Sequence, residues 1–217
     1  MLLCYFLRPL SSFLRIMRRV WIKFILSPLY KSRMGHCGKN VTIWFSNNIK
    51  ELPHIFLEDD IFIAEGFTFI SYTGNLYIKS HSGASTNFTV VTGNHGREIG
   101  QLIRDTTRER SKEDEKDVII EEDVEIGTDV TILAGVKVGR GASIGSGAVV
   151  RNSVPPYSIV IGNPAKVVGF SFNPEQIIEH EKMLYPESER LPLEKLEKNY
   201  KKYFIDRMKE IRSYTSL

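Results

Sequence analysis

Cysteine is scarce in this chain of 217 residues: there are two, Cys4 and Cys37. Two thiols build no disulfide framework, which excludes the small stapled secreted domains and favours a reducing compartment. Acidic residues are missing altogether from the first fifty positions, where Arg8, Arg15, Arg18, Arg19, Lys23, Lys31, Arg33, Lys39 and Lys50 all fall. Charge of one sign points to an anionic partner surface, although the net charge of the whole chain is only +3. Long apolar runs are lacking too. The opening MLLCYFLRPLSSFLRIMRRVWIKFILSPLY is rich in Leu, Ile, Phe and Trp. Its charges recur too often for a membrane span, which needs about 20 apolar residues in succession. It has neither a basic start nor a small-residue cleavage site, so no signal peptide is expected.

A helix is expected between Pro9 and Pro28. In it Arg15, Arg19 and Lys23 recur every fourth residue along one stripe, while Phe13, Ile16, Met17, Val20 and Phe24 fill the remainder. Two readings stay open. Such a basic amphipathic helix lies on an anionic membrane surface, or it packs its apolar face on its own domain or on a neighbouring subunit.

What the chain has in quantity is a six-residue period. From Ile120 it reads IEEDVE, IGTDVT, ILAGVK, VGRGAS, IGSGAV, VRNSVP. Ile120, Ile126, Ile132, Val138, Ile144 and Val150 stand six apart, and Val124, Val130, Val136, Ala142, Ala148 and Val154 follow four places after each. Neither a helix nor a plain alternating strand gives a strict six. A coil of three flat faces does, one hexad per face, with each aliphatic residue stacked inward on its equivalent in the next coil. The glycines Gly127, Gly139 and Gly145, and again Gly135, Gly141 and Gly147, suit the corners. An earlier, weaker series runs Ile43, Ile49, Ile55, Ile61, Phe67, slips around Tyr72 to Leu76, and resumes at Ile78, Ala84 and Val90.

The period breaks at His95, within VVTGNHGREIG, and returns at Ile120. The charged segment between is expected as a loop extruded from a corner, and a long loop in a compact solenoid is functional or disordered. After Gly169, an Asn-Pro pair starts a helix near Pro174, and a second helix is expected from about Leu193 to Ile211, both covering an end of the solenoid. The expected organisation is a basic helical segment over 1–40, a β-helix over 41–170 with the loop at 96–117, and a helical extension over 171–217.

The hexads, the histidine before an extruded loop, and the ending PPYSIVIGNPAKVV together resemble the hexapeptide-repeat acyltransferases. The resemblance is closest to the galactoside, maltose and xenobiotic acetyltransferase branch with its capsule and lipopolysaccharide O-acetyltransferases. It implies an all-β solenoid, a left-handed parallel β-helix, assembled as a homotrimer. It also implies acetyl-CoA in a groove between neighbouring β-helices and a sugar or oligosaccharide acceptor. His95 stands where that family has its general base, which suits an imidazole because its ordinary pKa lies near working pH. Thr128, Ala134, Ser146 and Arg151 match positions along the cofactor's thioester, pantetheine arm and phosphates, and Lys166 in GNPAK matches a cation near the nucleotide phosphates. Asn94 and Glu125 are assigned to the acceptor side, although many relatives carry Trp where this chain has Glu125. Neither cysteine lies near this site in sequence, so no cysteinyl acyl-enzyme is implied. The expected location is cytoplasmic, peripheral on the inner face of a bacterial membrane, with no nucleic-acid partner and no metal.

Two other readings share the solenoid. One is a trimeric scaffold with a decayed site, to which Glu125 lends some standing. The other is a zinc carbonic anhydrase-like β-helix enzyme, whose metal needs convergent histidines. His81 and His95 are fourteen apart, which does not divide by six, and no third histidine follows within the repeats.

Overall fold

The computed structural model describes residues 2–44, 49, 51–93, 99–106 and 115–215. The chain opens with helix α1 (Leu2–Trp21), a wider π-helical turn (Ile22–Leu26) and α2 (Ser27–Lys31). Short strands follow: β1 (His36–Cys37), β2 (Thr42–Ile43), β3 (Ile55–Leu57), β4 (Phe62–Ile63), β5 (Thr68–Ile70), β6 (Leu76–Ile78), β7 (Gly83–Ala84) and β8 (Thr89–Val91). A short helix α3 (Ile103–Thr106) precedes β9 (Val118–Ile120), β10 (Glu125–Ile126), β11 (Thr131–Ile132), β12 (Lys137–Val138), β13 (Ser143–Ile144) and β14 (Val149–Val150). The chain ends with β15 (Ser158–Ile161), β16 (Lys166–Phe170), α4 (Pro174–Leu184), α5 (Leu193–Tyr203) and α6 (Met208–Thr215).

The strands form three sheets, β1-β3-β6-β9-β12, β16-β15-β13-β10-β7-β4-β2 and β14-β11-β8-β5. From β3 to β14 the chain visits the first, second and third sheet in rotation, each strand parallel to its equivalent one coil earlier. The six-residue period has its physical cause in this rotation. Leu57, Ile78, Ile120 and Val138 stack in register on the first face. Ile63, Ala84, Ile126 and Ile144 do so on the second, and Phe69, Val90, Ile132 and Val150 on the third. All are buried, and a fully buried aliphatic side chain of this size contributes about 1.5–3 kcal/mol.

The early series needs a correction. Ile43 and Ile49 pair with Ile63 and Phe69, so they belong to the inward column. Ile55, Ile61 and Phe67 do not; they stand two places before Leu57, Ile63 and Phe69, at the places of Val118, Val124 and Val130 in later coils. A 3-10 turn, Leu52–His54, adds two residues to that corner. The shift is silent in the sequence because both members of each pair are apolar and buried. Phe67 instead stacks on Phe88, with ring centroids 5.5 Å apart. The slip around Tyr72 is present, as three extra residues between Phe69 and Ile78.

At most corners the third residue after the inward one turns left-handed. Gly135, Gly141 and Gly147 have positive φ, and so do Asn40, Asp60, Asn87, Asp123 and Asp129, residue types that tolerate this conformation. Asn87 Nδ2 donates to Asp129 Oδ1 at 2.8 Å, tying one corner to the next. Gly127, Gly139 and Gly145 serve another purpose: a Cβ on Gly139 would lie 2.5 Å from the Pro156 backbone nitrogen.

The terminal helices depart from expectation in two places. The first helix runs through Pro9 and Pro28, from Leu2 to Lys31, rather than between them. Pro28 follows the π-helical turn, whose wider ring relieves the clash between a proline and the preceding turn. The last helix is broken: Phe204 leaves helical geometry at φ −123° and packs on Phe170 and Tyr200. Helix α4 starts at Pro174 as expected, with Asn173 accepting from the Gln176 backbone at 2.8 Å and Gln176 returning the bond.

Candidate active site

The charged loop leaves and re-enters at one corner. Gly93 and Glu115 form an antiparallel bridge, and the Lys116 backbone N–H donates to Thr92 O at 2.8 Å. Glu115 closes this neck: its Oε2 accepts from Thr92 Oγ1 at 2.8 Å and from the Gly74 backbone at 3.2 Å. Asp117 accepts from the Asn75 backbone at 2.8 Å. The insertion lengthens one coil to 42 residues, against 18 in the coil that follows, as the partners Ile78–Ile120 and Ile120–Val138 record. Asn94 and His95 come directly after Gly93 and lie outside the described residues. Within the loop, Ile99 and Leu102 are exposed.

The other candidate residues fall at two corners and beyond. Thr128 and Ser146 share the corner between the second and third faces. Ser146 Oγ accepts from the Thr128 backbone at 3.1 Å, and Thr128 Oγ1 lies 2.9 Å from Ser85 Oγ and 3.4 Å from Thr86 Oγ1. The result is a ladder of hydroxyls, in which sequence reasoning picked out two of four members. Ala134 and Arg151 sit at the corner after the third face, the one from which the loop departs, since Ile132 pairs with Val90 and Val150. One chain therefore holds the hydroxyl ladder and the loop neck at opposite edges of the same face rather than together. Glu125 is exposed on the second face, in register with Gly83 and Ser143. It borders a shallow hollow of about 480 Å³ with Phe62 and His81.

Lys166 opens β16 and pairs with Glu210 of α6 at 3.1 Å. Arg207 meets the same carboxylate at 3.0 and 3.2 Å. Hydrogen bonds from Arg207 and then Lys166 hold the Glu210 carboxyl well down, to about 2. Sequence reasoning missed Arg207, which lines one recess with Lys166 and Asn152; helical spacing gave it no signal, because α5 ends before it.

Three of the remaining histidines have ordinary structural surroundings. His81 occupies a left-handed corner, 3.7 Å from Asp60. His54 Nδ1 lies 2.9 Å from Asn75 Oδ1, and His180 packs edge-on to Tyr157. Cys37 is half-buried and burial raises its thiol pKa. Among the described residues no three His, Cys, Asp or Glu side chains converge as metal ligands.

A three-faced parallel coil of hexads, carrying a loop on one corner and helices at its end, defines the class. Residues 117–152 match the bacterial transferase hexapeptide family, as six repeats. No curated protein matches the chain. Among solved structures, the chain resembles a hexapeptide-repeat acetyltransferase from Vibrio cholerae O1 biovar eltor, complexed with acetyl coenzyme A. The identity is 24% and the TM-score 0.59, over 66% of this chain and 75% of that one. It also resembles a maltose O-acetyltransferase from Clostridium difficile 630, at 21% identity and TM-score 0.56 over 66% and 73% of the two chains. A third likeness is an N-acyltransferase mutant from Bacillus cereus in complex with dTDP-4-amino-4,6-dideoxyglucose and coenzyme A. There the identity is 17% and the TM-score 0.55, over 74% and 96%. At such identities the likeness is one of fold.

Proposed function

We propose that this chain is an acetyl-CoA-dependent O-acetyltransferase acting on a sugar hydroxyl of a polysaccharide or its precursor. Its coil is read as a left-handed β-helix over 41–170 between the helical segments 1–40 and 171–217. The observation that carries the reading is the tied corner at Gly93 and Glu115. Asn94 and His95 follow Gly93 directly in the sequence, on a chain whose residues 117–152 match a transferase repeat. Similarity of fold to an acetyltransferase complexed with acetyl coenzyme A and to a maltose O-acetyltransferase supports the donor and the acceptor class.

In this reading His95 takes the proton of an acceptor hydroxyl as its oxygen attacks the thioester carbonyl. The tetrahedral intermediate collapses, the C–S bond breaks, and the thiolate recovers the proton from the imidazolium. Backbone N–H groups steady the oxyanion. Thr128, Ala134 and Ser146 would line the pantetheine arm; Arg151 and Lys166 would meet the phosphates, and Asn94 and Glu125 the acceptor. The spread of these residues supports a homotrimer. With the hydroxyl ladder and the loop neck at opposite edges of one face, a groove between two coils would unite them. The enzyme would work in the cytoplasm, peripheral on the inner face of a bacterial membrane.

The test is thioester cleavage. Purified protein is incubated with acetyl-CoA and a panel of sugars, amino sugars and capsule oligosaccharides, and free thiol is followed. The expected result is acceptor-dependent release that His95→Ala abolishes while CoA binding persists. Release unaffected by the substitution removes His95 from the mechanism, and absent CoA binding overturns the transferase in favour of a scaffold.

A further inference from the structure

The N-terminal helix turns the wrong face outward for a helix that packs on its own domain. At about 100° per residue, Ser11, Ser12, Arg15, Arg18 and Arg19 occupy roughly a third of the circumference. Phe13, Met17, Val20 and Trp21 lie on the opposite side, with Leu10, Leu14 and Ile16 beside them. The polar side meets the coil. Arg18 Nη2 pairs with Glu65 Oε1 at 2.7 Å, and Arg15, Arg18, Arg19 and Ile22 line one recess with Trp44 and Glu65. The apolar side is open: Phe13 is 58% exposed, Met17 50%, Trp21 53% and Phe24 67%. The far end is fixed, because Tyr30 and Met34 pack on the core and Lys31 Nζ donates to Val41 O. The helix thus presents its arginine side to the body and its apolar side away from it.

Contiguous exposed apolar surface of this extent marks an interaction site, and charge selects the occupant. The helical run 2–31 contains six Arg and Lys and no acidic residue. Docking the same face of a second copy would bring two such acid-free helices side by side with no counter-charge between them. A bilayer with anionic headgroups supplies both halves of the match: acyl chains for the apolar face and phosphates for Lys23, which stands at the border of that face with its Nζ 5.6 Å from the centroid of the Phe24 ring. No helix among the described residues is long and apolar enough to cross a membrane, so the helix would lie in the surface.

We propose that α1 and the turn after it lie in the surface of an anionic bilayer. The arginine face is turned toward the coil, and Phe13, Met17, Val20 and Trp21 enter the acyl boundary. This rests on the peripheral location in the function proposed above and not on its acyl transfer. The experiment sediments the full-length protein with phosphatidylcholine vesicles, with and without phosphatidylglycerol. Wild type should pellet with the anionic vesicles only, and less so as salt rises. The double variant Phe13→Glu, Val20→Glu changes only exposed positions and should lower the bound fraction about tenfold or more. It should keep its circular dichroism and its thiol release with soluble acceptors. In a Trp44→Phe background, brominated acyl chains should quench Trp21. Failure of wild type to pellet, pelleting unchanged in the double variant, or an oligomer that the double variant dissociates without lipid would overturn the proposal. The last outcome would assign the face to a second copy. A protein that pellets but cleaves no thioester keeps this inference and loses the transferase.

Discussion

Replacing Arg140 with alanine should loosen the C-terminal helices from the coil. Arg140 leaves a corner of the repeats and reaches two elements at once. Its Nε donates to Glu122 Oε2 at 2.8 Å, and its Nη1 to Glu181 Oε1 at 3.2 Å and to the Glu189 carbonyl at 3.0 Å. Its guanidinium lies 4.0 Å from the centroid of the Tyr185 ring. Glu181 of α4 is 0% exposed and also accepts from Tyr157 Oη at 3.1 Å and from the Leu191 backbone at 2.5 Å. Burial, then the Glu181 charge, pushes the Tyr157 phenol far above its ordinary pKa, so it stays a donor across the working range. Removing the guanidinium leaves a buried carboxylate with neutral donors only, a change that costs about 3–5 kcal/mol. If coil and helices melt together, at about 2–4 °C per kcal/mol for a chain of this size, the midpoint falls by about 10 °C. If they melt apart, hydrogen exchange should rise first in α4 while amides of the repeats stay protected. Thermal melts by circular dichroism and exchange on the same samples read both cases. A drop under about 2 °C with unchanged exchange in α4 would refute the argument. The double variant Arg140→Leu, Glu181→Leu should recover part of the loss, since the fully buried carboxylate goes with its cation, while the Tyr157 hydroxyl and Leu191 N–H lose their acceptor and Glu122 its partner.

Two further expectations concern the first face and its corner. Ser82 occupies a place that Ile61 and Val124 fill in neighbouring coils, and its Oγ donates to Glu121 O at 2.9 Å and accepts from the Val124 backbone at 3.2 Å. Ser82→Ala strands both backbone groups and should cost about 1–3 kcal/mol, read as a lower urea midpoint. Burial raises the Glu121 carboxyl pKa, but hydrogen bonds from Lys137 and Lys79 overcome it and leave it lowered. Those lysines stand at 2.5 and 2.7 Å. A depressed folded pKa contributes stability that is present above the ordinary carboxylate value, about 4.3, and is lost as pH falls through the folded value. Glu121→Gln should therefore flatten the acid limb of the stability profile in chemical denaturation run as a pH series; an unchanged acid limb would refute the assignment.

The parts of this molecule legible in the sequence are those that repeat. Ile120 to Val150 announce the inward column because each coil imposes the same steric demand at the same place, and six consecutive hexads satisfy it without insertion. The earlier coils obey the same demand but hide their register. Ile55 and Leu57 are both apolar and buried, so a two-residue insertion at Leu52–His54 moves the column without leaving a polar residue to mark the shift. Corners were legible as glycine and not as asparagine or aspartate, although Asn87 and Asp129 take the same left-handed conformation.

What does not repeat was hard to read for a related reason. Arg207 and Glu210 come to Lys166 only because Phe204 breaks the last helix to pack on Phe170, a contact that no helical periodicity encodes. The same break interrupts the single stripe expected from Leu193 to Ile211, although Leu196 before it and Ile211 after it are both buried. The N-terminal helix is the opposite case. Its two faces were plain in the sequence, but which of them meets the coil follows from contacts distant along the chain, Arg18 with Glu65 and the recess shared with Trp44 among them. Periodicity fixes which side chains share a face. Only the partner across the chain fixes where that face points, and here it turns the apolar side outward.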